Sequence, residues 1–110
     1  MTRIRLIADA RREFLEEIAY YENIRQGLGR KFRIAATVAF KRAVSFPYSG
    51  KPGVVETRRI LVKGFPFAVV YIPSEAEVVV YAVAHLSREP SYWIGRVKND
   101  GSLKKLLPSD

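Results

Sequence analysis

The residues best suited to chemistry lie close together near the end of the sequence. In AVAHLSREPSYWIGR, Ala82 to Arg96, an apolar run gives way to His85, Arg88, Tyr92, Trp93 and Arg96, which include the chain's single histidine and single tryptophan. Imidazole ordinarily titrates near neutrality and can move a proton, while arginines stabilise developing negative charge. A Tyr-Trp pair beside arginines has a second use, stacking on bases or anchoring a protein partner. The plain alternatives are a histidine at a sheet rim that bonds the following loop, and an aromatic pair folded back over the core. Other chemistry is poorly provided for. Cysteine is absent, which removes disulfides, thiolate nucleophiles and cysteine-ligated metals together. One histidine with scattered acids makes no ligand cluster, and neither a glycine-rich phosphate loop nor a Ser/His/Asp arrangement can be read. No metal and no cofactor is expected.

Charge points to the kind of partner. The net charge is +8 over 110 residues. From Asn23 to Val55 there is no Asp or Glu, yet Arg25, Arg30, Lys31, Arg33, Lys41, Arg42 and Lys51 all fall there. Such a region fits a polyanionic partner, nucleic acid or an acidic protein, and equally a solvated helix face. No stretch approaches the roughly 18 apolar residues of a membrane span. No membrane association is expected, and the absence of cysteine fits a cytoplasmic location.

The elements that must position these residues follow from periodicity. Arg3 and Arg5 alternate with Ile4 and Leu6, the period of a strand with one buried face. Asp9 stands where an N-cap would, ahead of an amphipathic helix in which Phe14, Ile18, Tyr21 and Leu28 share a side. Gly27 and Gly29 break it. A second helix follows, marked on one side by Phe32, Ala35 or Ala36, Ala39, Ala43 and Phe46, and its alanines allow close packing on the first. The connector PYSGKPG, Pro47 to Gly53, ends the helical half. Beyond it VVETRRILV, FPFAVVYI and EVVVYAVAH, separated by short loops, predict an antiparallel meander with an apolar central strand. Arg58 and Arg59, adjacent in a strand, point to opposite faces. His85 shares strand parity with Val79, Tyr81 and Val83. From Ser87 the pattern becomes a loop or short helix. The predicted fold is α+β: an N-terminal strand and an antiparallel helical hairpin packed on an antiparallel sheet, one domain over residues 1–97 with a polar tail at 98–110. Leu103, Leu106 and Leu107 form an apolar handle in that tail.

This order of elements, with IAYYENIRQGLGRKF, SFPYSGKPG, VVETRRILVKGFPFAVVY and above all VVVYAVAHLSREPSYWIGR, resembles the RelE/ParE superfamily, the toxins of type II toxin–antitoxin modules. The resemblance covers roughly residues 3 to 97. It implies a growth-inhibiting protein held inactive by a cognate antitoxin, a role associated with plasmid stabilization. RelE-like members cut mRNA on the ribosome, whereas ParE-like members inhibit DNA gyrase with no cleavage chemistry of their own, and fold does not choose between them. RelE-like nucleases carry a cation within the third strand; here FPFAVVY has Ala68 at that place. The resemblance therefore favours the ParE-like branch, acting on gyrase by binding and not as an enzyme.

The alternative is a metal-independent endoribonuclease acting on ribosome-bound mRNA. Cutting RNA through its own 2′-hydroxyl needs a base, an acid and cations for the phosphorane. Glu56, Arg59, His85, Arg88 and Tyr92 are the residues available, although they do not match the RelE pattern position by position. For target or antitoxin binding the candidates are Arg25, Arg30, Lys31, Arg33, Arg58, Tyr92, Trp93 and Arg96. A third reading is a basic domain without toxicity that binds an antitoxin or nucleic acid.

Overall fold

The structure, a computed structural model, describes residues 3–74 and 76–100. The elements run β1 (Arg3–Leu6), α1 (Ala8–Ile24), α2 (Leu28–Ser45), β2 (Lys51–Pro52), β3 (Arg58–Val62), β4 (Phe67–Ile72), β5 (Glu77–His85) and α3 (Ser91–Asn99). The strands form a five-stranded sheet in the order β1-β5-β4-β3-β2. The meander β3-β4-β5 is antiparallel as the pattern predicts, and β1 joins its far edge parallel to β5, so the sheet is mixed.

The helical hairpin is built by close approach. Ile7, not Asp9, occupies the N-cap position of α1, and no side chain caps the helix. Asp9 lies in the first turn, where its charge suits the helix dipole, and it pairs with Arg12 at 3.1 Å. Gly27, at φ 88°, makes the turn between the helices. Gly29 is not a breaker but part of α2. A Cβ there would lie 2.5 Å from the Ile18 carbonyl oxygen and 2.9 Å from Glu22 Cβ, so only glycine allows this crossing. Glu22 seals the junction by accepting from the Gly27 and Gly29 amides, placing negative charge at the start of α2.

On α2 the face against the sheet is Phe32, Ala36, Ala39, Phe40 and Ala43, all buried. Phe46 was expected on that face and is 66% exposed. It is the C-cap residue of α2, at φ −136° and ψ 71°, outside the helical range, so the periodicity of the buried face does not extend to it. The core under the hairpin joins these residues to Val62, Phe67, Val69, Tyr71, Val78, Val80 and Val83. Phe32, fully buried, meets Phe67 and Phe65 edge-on at 5.4 and 5.2 Å, the geometry ring quadrupoles prefer.

Two local departures decide where the site residues point. Val54 to Thr57 is a turn and not the start of β3; Thr57 N–H donates to the Val54 carbonyl across Val55 and Glu56, both at positive φ. The register of β4 on β5 steps from Val70↔Ala82 to Tyr71↔Val80, so Tyr81 is the extra residue of a bulge. Parity reverses there. His85 therefore shares the hairpin face with Val83, Val80 and Val78, and Val79 and Tyr81 belong to the other face.

That other face has its own core of Val70, Ile72, Val79, Tyr81, Ala82, Ala84, Trp93 and Val97, covered by α3. The helix continues past residue 97 to Asn99, and Tyr81 Oη donates to Asp100 Oδ2 at 2.6 Å. The packed unit thus includes residues the sequence assigned to a tail, while Leu103, Leu106 and Leu107 lie outside the described residues. Among the described residues no helix is long and apolar enough to cross a membrane.

Candidate functional site

A cleft of about 300 Å³ opens between the β2–β3 hairpin and the segment that follows β5. Ala68, Val70 and Ala84 contribute apolar lining, Trp93 closes one side, and Lys51, Arg58, Arg59, His85 and Arg88 ring it. No carboxylate lines it. Among the described residues Lys51, Arg59 and Arg88 take part in no ion pair, which leaves their charge available to an anion. The residue that could have carried a cation from β4, Ala68, adds none.

His85 is held by its own loop. Ser87 N–H donates to His85 Nδ1 at 3.1 Å, and Ser87 Oγ lies 2.7 Å from the same nitrogen. An amide can only donate, so Nδ1 accepts and the neutral ring carries its proton on Nε2. The lone pair a general base requires is occupied. The ring meets Phe67 edge-on at 5.1 Å. Beyond His85 a smaller crevice holds Glu17, whose carboxyl is pushed up by burial while His85 opposes the shift.

Arg88, Tyr92 and Arg96 form a stack fixed from α1. The Arg88 guanidinium lies 3.7 Å from the centre of the Tyr92 ring and that of Arg96 lies 4.9 Å away. Arg96 is anchored by Glu13, with Nη1 to Oε1 at 2.8 Å and Nη2 to Oε2 at 2.9 Å. Arg96 Nη1 also donates to the Tyr81 carbonyl at 3.1 Å, and Val83 N–H donates to Glu13 Oε1 at 3.2 Å. Burial pulls the Arg96 pKa down, but the Glu13 carboxylate outweighs it and the result is raised. Burial, with Glu13 adding and the two arginines opposing, pushes the Tyr92 phenol up to about 12. Sequence reasoning missed Glu13. Its signal was a carboxylate three residues after Ala10 and adjacent to Phe14, at the buried edge of α1, where a cation from elsewhere had to meet it.

The structure divides the remaining candidates. Arg59, His85 and Arg88 share the cleft, but Glu56 sits in the Val54–Thr57 turn and does not line it. Arg58 lines the cleft yet spends its Nη1 on the Tyr48 and Gly50 carbonyls, both at 2.9 Å, tying down the connector. Trp93 is 6% exposed, a core residue and not a surface anchor. Arg96 is likewise committed to Glu13. Arg25, Arg30, Lys31 and Arg33 are exposed at the hairpin turn and along α2, and none of them lines the cleft.

No family model matches the chain, and no curated protein sequence matches it. Its structure is similar to a chain of the chromosomal ParDE toxin–antitoxin system from P. aeruginosa. The TM-score is 0.67 over 78% of this chain and 97% of that one, at 13% identity. The likeness is one of fold. It bears out the α+β class, with an N-terminal strand and a helical hairpin on the sheet.

Proposed function

We propose that the chain is the toxin of a type II toxin–antitoxin module, arresting bacterial growth by binding DNA gyrase and neutralised by a cognate antitoxin. The observation that carries this reading is the fold shared with a ParDE system over nearly the whole of that chain. The chemistry of the cleft supports action by binding. The lone pair of His85 is taken by Ser87, and Tyr92, its phenol near 12, is a poor acid at neutral pH. Glu56 stands away from the cleft, so no second proton-transfer group faces Arg59 and Arg88. What remains is a cationic recess that grips an anionic or carboxylate-bearing surface without a means of cutting it. Purified gyrase tests this: added chain is expected to abolish supercoiling at saturation, and unaltered supercoiling refutes it.

One observation favours a second reading, an mRNA endonuclease: Arg59, His85 and Arg88 line one acid-free cleft. Cleavage would need His85 to release Ser87 and present a free nitrogen. Codon-linked cuts in translated messages that vanish in His85→Ala and Arg88→Ala would establish it.

A further inference from the structure

A crevice of about 370 Å³, within the ~300–1,000 Å³ of pockets that hold small ligands, lies between the last two turns of α1 and the rim where β4 begins and β5 ends. It shares only His85 with the cationic cleft. Tyr20, Tyr21, Ile24 and Phe67 line it together with Glu17 and His85, and Glu17 is its one acid. Its rings lock one another in place. Tyr20 meets Tyr21 at 5.4 Å, Tyr21 meets Phe67 at 6.3 Å and Phe67 meets His85 at 5.1 Å, all edge-on. Glu17 differs from the other acids of α1. Asp9 and Glu16 pair with Arg12, Glu13 pairs with Arg96, and Glu22 accepts from the Gly27 and Gly29 amides. Glu17 is half-buried and has no hydrogen bond or ion pair among the described residues. In a chain of net charge +8, a carboxylate partly withdrawn from water with no cation beside it loses solvation that nothing in the fold replaces.

We infer that this crevice binds a guanidinium group, carried by an arginine side chain of another protein or by a free arginine-like molecule. The two Glu17 oxygens would accept its N–H groups, and the aromatic wall would lie against its flat face. Guanidinium suits such a wall better than ammonium, because it is planar, stacks on rings and sheds water more readily. Tyr20 and Ile24, each 58% exposed, would cover the aliphatic stem behind it. Anions are repelled by Glu17, so the crevice selects the opposite charge to the cleft. The inference goes beyond the proposed function and does not depend on it.

The probes are N-acetyl argininamide and a blocked alanine–arginine–alanine peptide, each titrated into the isotope-labelled full chain and followed by NMR. Saturable shifts are expected at Glu17, Tyr20, Tyr21 and His85. Tighter binding of the peptide marks a protein side chain as the source, and equal binding marks a free guanidinium compound; both uphold the site. The same peptide with citrulline, which keeps the shape without the charge, should bind the unaltered chain about tenfold more weakly or worse. Glu17→Gln should weaken the arginine peptide to the same degree. That change breaks no hydrogen bond or ion pair among the described residues, so amide shifts remote from the crevice should stay where they are. Tyr20→Leu, which keeps apolar cover but removes a ring, should weaken binding severalfold. Failure of both arginine probes to saturate, shifts confined to other surfaces, citrulline binding as well as arginine, a lysine peptide binding as well as the arginine one, or unchanged affinity in Glu17→Gln would each overturn the inference.

Discussion

Removing one partner of the Glu13–Arg96 pair should be among the most damaging single changes outside the main core. The two side chains are only 10% and 13% exposed and meet through two bonds of 2.8 and 2.9 Å. Glu13→Gln leaves the buried Arg96 guanidinium with only the half-exposed Asp9 carboxylate, 3.8 Å from its Nε, and Arg96→Met leaves the Glu13 carboxylate buried without its cation. Breaking such a pair costs about 3–5 kcal/mol, a large share of the roughly 5–15 kcal/mol that holds a domain together. At about 4–8 °C per kcal/mol for a domain near 100 residues, the melting temperature falls by at least ~12 °C. The double variant Glu13→Leu/Arg96→Met has no stranded charge. It still leaves the Val83 N–H and the Tyr81 carbonyl without these partners, a loss of about 1–3 kcal/mol. The double change should therefore cost well under the sum of the singles, with a coupling of ~2 kcal/mol or more. Urea unfolding followed by Trp93 fluorescence measures this, since that indole sits in the core beneath α3. Additive losses, or singles costing less than about 1 kcal/mol, would refute the clamp.

Three further expectations follow from particular contacts. The Tyr92 pKa is raised above its unfolded value, so its contribution to stability is full below pH ~10 and is lost as pH climbs towards about 12; Tyr92→Phe should flatten that alkaline limb and remove one late-titrating component from the phenolate absorbance, leaving those of Tyr21 and Tyr71, which burial also raises. Gly29→Ala forces a Cβ against the Ile18 carbonyl and should cost about 1–3 kcal/mol by overpacking, seen in chemical denaturation. Glu56 is exposed at φ 65°, so Glu56→Gly should stabilise the chain by about 1 kcal/mol, and an unchanged or lowered midpoint would show that the side chain has a role there.

Periodicity made most of the fold legible, because its main elements are separated by clear turn formers and alternate cleanly. The apolar run of β4 announced a central strand covered on at least one side by the helices, and all six of its residues are buried. What escaped depended on one residue at a time. The bulge at Tyr81 reverses the facing of His85, and nothing in EVVVYAVAH marks which residue is the extra one. Gly29 read as a breaker because glycine's tolerance of close approach looks identical in sequence to its tolerance of turns. At the site, the clustering of His85, Arg88 and Arg59 came from the end of β5 and from β3, the two strands that flank β4 in the meander, and was readable. The Glu13–Arg96 pair joins residues far apart in the chain, and the burial of Trp93 depends on α3 folding back, a tertiary event that composition does not encode.

Induced expression in a growing bacterium tests the central claim, action on replication by binding, most directly when DNA damage and message integrity are read from one culture. The account predicts arrest with filamentation and damaged DNA, while primer extension finds translated messages whole. Normal colony growth, or arrest accompanied by codon-linked message cuts that disappear in Arg88→Ala, would contradict it.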